Sequence, residues 1–114
     1  MKLSNLAEAL SVEIVHCGPS FDEAEVENVM ASDLMSDVLV VDKPQLLLVT
    51  SLASDQAVRT ADIVGAVAVL VVNGKVLPAP MKTLAEDMGM TLLRAPMTKY
   101  EACVQIGALL GHIR

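Results

Sequence analysis

The hydrophobic positions change character along the chain. Up to about residue 44 they form short, loosely patterned groups, and from Gln45 onward strand-like runs recur between stretches of helical spacing. Leu3, Leu6, Ala7 and Leu10 follow helical spacing, and Ser4 is placed to cap this first short helix. Ser11 to Val15 alternates loosely and predicts a short strand. His16-Cys17-Gly18-Pro19-Ser20 is a loop, punctuated by Gly and Pro. Glu23 to Ala31, with Val26 and Val29 among its glutamates, predicts a second strand. Ser32-Asp33 predicts a helix start, since Ser accepts a backbone N–H and Asp favours the positive end of the helix dipole. Leu34, Met35 and Val38 give that helix its apolar face, with Leu39 beside it.

The second half is more regular. Gln45 to Thr50, Ala66 to Val72 and Met90 to Arg94 lack polar alternation, the pattern of strands buried on both faces. Between them, Ser54 to Val64 places Ala57, Ala61 and Val64 on one helical face. Pro80 opens a second helix at its first position, with Met81, Leu84, Ala85 and Met88 on its apolar stripe and Gly89 as a left-handed cap. Pro96 breaks the chain, and Thr98 caps a last helix carrying Cys103, Ile106, Gly107 and Leu110. Strands linked by helical crossovers pair in parallel, and such crossovers are right-handed. The predicted fold class is α/β: a single domain over residues 1–114, with a mainly parallel sheet of about five strands flanked by helices.

Composition narrows the partners. Hydrophobic residues make up 54% of the 114 and aromatic residues only 2%, so the core is aliphatic, with seven Met residues as gap fillers. The net charge of −6 and the scattering of eight basic residues argue against nucleic acid and against an anionic membrane surface. The longest apolar run, Ala66 to Val72, is far short of the ~20 residues that span a bilayer. With no signal-peptide pattern at the N-terminus, the expected location is cytoplasmic. There, Cys17 and Cys103 are expected to be plain thiols and not a disulfide.

Two stretches carry a resemblance. One is Ala31-Ser32-Asp33-Leu34-Met35-Ser36-Asp37-Val38-Leu39. The other runs from Leu48-Val49-Thr50 through Val69-Leu70-Val71-Val72-Asn73-Gly74 and Leu84-Ala85-Glu86-Asp87-Met88-Gly89-Met90 to Thr98-Lys99-Tyr100-Glu101. Together, over about Leu3 to Leu110, they resemble the DRTGG domain family, itself similar to the N-terminal domain of HPr kinase/phosphorylase. The resemblance implies a regulatory or accessory domain that self-associates as a homodimer. The family's name-giving acidic-Arg…Gly-Gly stretch belongs just before Ala31. Glu23-Ala24-Glu25-Val26-Glu27-Asn28-Val29-Met30 stands there instead, without the Arg or the glycines. Glutamates at that place repel an anion that a Gly-rich turn would admit.

Open parallel sheets bind ligands beyond the carboxyl ends of their strands. That rule selects Thr50 and Ser51 after the first solid run, Asn73 and Gly74 after the second, and Thr98 after the third, joined by Ser32 and Asp33. The same residue types also serve as caps and turns for backbone reasons alone. Asp33 and Asp37, four apart on the predicted helix, could do acid–base work or hold Mg²⁺, against the alternative of a solvated face. His16-Cys17, with Cys103 and His112, lacks the local spacing of a zinc site. Met30, Met35 and Met97 lie near segment ends, where thioethers suit an association surface. No cofactor, no metal and no catalytic residue is assigned. The reading is a stand-alone regulatory or interaction domain that forms a homodimer and senses a small-molecule ligand or docks on a larger enzyme assembly. The alternative is a small metal- or phosphate-handling enzyme domain using Asp33, Asp37 and the strand-end hydroxyls.

Overall fold

The computed structural model describes residues 1–112. Ten elements follow one another: α1 (Leu3–Leu10), β1 (Glu13–His16), β2 (Asn28–Ala31), α2 (Met35–Val38), β3 (Leu46–Thr50), α3 (Asp55–Val64), β4 (Ala68–Val71), α4 (Ala79–Met88), β5 (Thr91–Arg94) and α5 (Lys99–Leu109). The strands form one sheet in the order β1-β5-β4-β3-β2. Four of them pair in parallel, with Leu47 opposite Ala68 and Ala68 opposite Thr91 in the middle of the sheet.

The sheet is mixed. β1 pairs antiparallel to β5, with an irregularity between Ile14 and His16. Alternation along Ser11–Val15 marks a strand but carries no information on direction. The helical crossovers that enforce parallel pairing begin only after β2, so β1 is free to close the edge in the opposite sense.

Two aliphatic cores form because successive strand residues point to opposite faces. Leu47, Val49, Leu70 and Leu93 face α1 and α5, meeting Leu3, Leu6, Ala102 and Ile106. Leu48, Val69, Val71 and Leu92 face α2, α3 and α4, meeting Val38, Ala57, Ala61, Met81 and Ala85. The three solid apolar runs are thereby buried on both sides, as their lack of alternation requires.

Local chemistry departs from expectation at four places. Lys2 and not Ser4 occupies the cap position of α1, which has no side-chain cap. The strand expected over Glu23–Ala31 shortens to β2, because residues 20–23 form a turn closed by Ala24 N–H donating to Ser20 O at 2.9 Å. Pro80 is the second residue of α4, behind Ala79. α2 starts two residues beyond Ser32-Asp33, with extended Leu34 at its cap position. Thr98 and Gly89 cap as predicted, Gly89 at φ +67°, and Ser54 caps α3 as well.

Candidate functional site

The carboxyl ends of the parallel strands gather most of the selected polar residues into one rim. Thr50 ends β3 fully buried, and its Oγ1 donates to Asp33 Oδ1 at 3.1 Å. Ser51 donates twice to the same carboxylate, from its N–H at 2.7 Å and its Oγ at 2.6 Å. Lys99, the first residue of α5, brings its Nζ to 2.7 Å from Asp33 Oδ2. One carboxylate thus ties the end of β2 to the end of β3 and to the start of α5. Ser32 stays beside it in a local turn, accepting the Leu34 N–H at 3.1 Å.

The titration of Asp33 follows from this geometry. Its burial pushes the pKa up, but the bonds from Lys99, Ser51 and Thr50 together outweigh that and hold the carboxyl well below the usual aspartate range. Asp33 is an anion at any physiological pH, with its lone pairs committed to protein donors.

Asn73 and Gly74 close the next part of the rim. Both adopt the left-handed conformation, at φ +64° and +61°, which Asn and Gly tolerate best. Asn73 N–H donates to Met97 O at 2.8 Å and Gly74 N–H to Ala95 O at 3.0 Å, binding the loop after β4 to the loop after β5. Thr98 Oγ1 accepts the Glu101 N–H at 3.1 Å, while Glu101 Oε1 accepts the Thr98 N–H at 3.2 Å: a complete capping box. Ser54 Oγ likewise accepts the Gln56 N–H at the start of α3. The helix ends nearest Thr50 and Thr98 are therefore closed by their own side chains.

The paired-carboxylate expectation is corrected. Asp33 lies at a bend before α2 and turns toward Lys99, whereas Asp37 sits inside the helix, so they share no helical face. Among the described residues no three His, Cys, Asp or Glu side chains converge as a metal site would need. Both cysteines are free: Cys17 is exposed, and burial pushes the half-buried Cys103 thiol up against the pull of Lys99. Met35 is buried in the core and is no part of an association surface; Met30 and Met97 are half-buried.

Two features escaped the sequence reading. Lys99 is not among the residues the strand-end rule selects, although its place directly after a helix cap at a strand end brings it back to the sheet edge. The other is a cleft of about 420 Å³ at the β1 edge, lined by Glu13, Lys82 and Arg94 among apolar residues, with a smaller one of about 240 Å³ beside it at Gly74 and Pro96. Among the described residues no helix is long and apolar enough to cross a membrane.

No family model matches the chain, and no curated protein matches it. Among solved structures it is similar to the CBS and DRTGG domains of the regulatory region of Clostridium perfringens pyrophosphatase, crystallised with its activator diadenosine tetraphosphate. The TM-score is 0.74 at 14% identity, over 92% of this chain. The chain spans 45% of that structure's length. At that identity the likeness shows a shared fold.

Proposed function

We propose that this chain is a non-catalytic regulatory module of the DRTGG type, a cytoplasmic homodimer that senses a small ligand or docks on a larger enzyme assembly. The observation that carries the reading is the fold shared, over nearly the whole chain, with a regulatory region that binds a nucleotide activator. The rim of Ser32, Asp33, Thr50, Ser51, Asn73, Gly74 and Thr98 is its functional face. Catalysis finds little support at that rim, because Asp33 is committed to Lys99, Thr50 and Ser51 and offers no free base. Self-association is supported by Tyr100 and Val104, one turn apart on α5 and both exposed, Tyr100 by 77%.

Thermal unfolding with and without diadenosine tetraphosphate tests the ligand part. A ligand that binds only the folded chain raises its Tm by mass action. The reading expects such a rise, and expects it to vanish, relative to the variant's own unliganded Tm, when Thr50→Val, Asn73→Ala and Thr98→Ala are combined. A rise of equal size in the triple variant removes the rim from the site.

A further inference from the structure

Two basic residues that are separated in the sequence line one cleft in the fold. Lys82 and Arg94 line the cleft of about 420 Å³ at the β1 edge, and Lys75 stands in the loop that supplies its wall residues Val76 and Leu77. Two of the chain's eight cations thus share one cleft, in a protein of net charge −6. Glu13 is the one carboxylate lining the cleft. The volume falls within the range of small-molecule sites, roughly 300–1,000 Å³.

The two lining cations are held differently. Arg94 is fixed: its Nε donates to Lys75 O at 2.6 Å, its Nη2 to Gly74 O at 3.4 Å, and its Nη1 lies 3.3 Å from Glu13 Oε2. The guanidinium thereby pins the wall loop against the end of β5. Lys82, on the first turn and a half of α4, is exposed and makes no ion pair among the described residues. Around them stand apolar groups left in water, Val76 at 84% exposure and Ile14 at 47%. A free ammonium, a fixed guanidinium and uncovered aliphatic walls suit one kind of ligand: an anionic head on an apolar or aromatic body.

We infer that this cleft, between β1 and the β4–α4 loop, binds a small organic anion of that kind, with Lys82 meeting the carboxylate, phosphate or sulfonate and Val76 and Ile14 covering the body. The site lies at the β4–β5 end of the strand-end edge, joined to the rim through Gly74. The inference rests on the ligand-sensing reading and adds to the rim an adjoining cleft with a ligand class of its own.

Anilinonaphthalene sulfonate, a sulfonate on an aromatic body, serves as the probe, titrated into the full chain and followed by amide chemical shifts. The expected result is saturable binding with shifts centred on Ile14, Val76, Lys82 and Arg94. Lys82→Glu weakens it about tenfold, the loss of one charge-assisted hydrogen bond. Lys43→Glu, the same charge change at the opposite edge of the sheet, leaves it unchanged. Lys82 is unpaired and exposed, so the variant's circular dichroism matches the parent's. Shifts confined to Asp33, Thr50, Ser51 and Thr98 overturn the cleft while leaving the ligand-sensing reading in place. Equal affinities for Lys82→Glu and Lys43→Glu, or shifts that never saturate, overturn the cleft as well.

Discussion

Lys99 Nζ lies 2.7 Å from Asp33 Oδ2, and 66 residues of chain separate the two. This pair joins the last helix to the end of an edge strand across the top of the sheet. Its carboxylate also receives Thr50 and Ser51, so a single anion organises three elements.

That arrangement makes stability depend on acid in a defined direction. The folded-state pKa of Asp33 is depressed, so its contribution is fully present above the ordinary aspartate value of 3.8 and is lost as pH falls below it. Asp33 is 46% exposed, which limits the ion pair to roughly 0.5–1 kcal/mol after solvent screening. Asp33→Asn is expected to be less stable than the parent by about 1 kcal/mol at neutral pH, with the gap narrowing below pH 3.8 and closing only as the pH falls through the depressed folded-state value. Urea unfolding at several pH values measures it. A gap that stays constant with pH contradicts the ionic account.

Gly18 predicts a steric effect. A Cβ at this position would run into the carbonyl oxygen of Gly89 and reach 3.1 Å from Thr91 Oγ1, and the Gly18 N–H donates to that hydroxyl at 3.0 Å. Gly89 cannot readily yield, since it is the left-handed cap of α4. Gly18→Ala is expected to cost about 2–3 kcal/mol. Gly65→Ala, where a Cβ meets nothing but φ is +72°, is expected to cost only about 1 kcal/mol of backbone strain. Denaturant midpoints order the two; the reverse order removes the close approach as the cause.

The capping box at α5 separates structure from binding. Thr98→Ala is expected to lower stability by about 1 kcal/mol. Glu101→Gln keeps a side-chain acceptor for the Thr98 N–H and is expected to lose less. Comparable losses for the two variants, read from urea midpoints, contradict a hydrogen-bonded box.

The parts of this fold that can be read from sequence are those decided locally. The runs around Leu47 and Leu70 announce buried strands because no polar residue interrupts them, and the one around Leu92 does so with Thr91 as its single interruption. Gly89 and Thr98 announce helix ends because their backbone chemistry is nearly obligatory. Ser32-Asp33 looks equally like a helix start, yet Asp33 is drawn away by Lys99, Thr50 and Ser51, partners that lie 17 or more residues away. Val15 and His16 give no hint of strand direction, and Glu13, Lys82 and Arg94 meet only once β1 has closed the edge beside β5. Four of the selected residues, Asp33, Thr50, Ser51 and Thr98, are found around the start of α5, and the carboxylate of Asp33 that joins two of them to Lys99 does so through contacts between distant parts of the chain.

Sedimentation equilibrium of the chain at micromolar concentration decides whether this regulatory module self-associates. A dimer of the 12.1 kDa chain is expected, which Tyr100→Glu with Val104→Glu converts to monomer while the circular dichroism is unchanged. A single 12.1 kDa species for the unsubstituted chain across that range contradicts it.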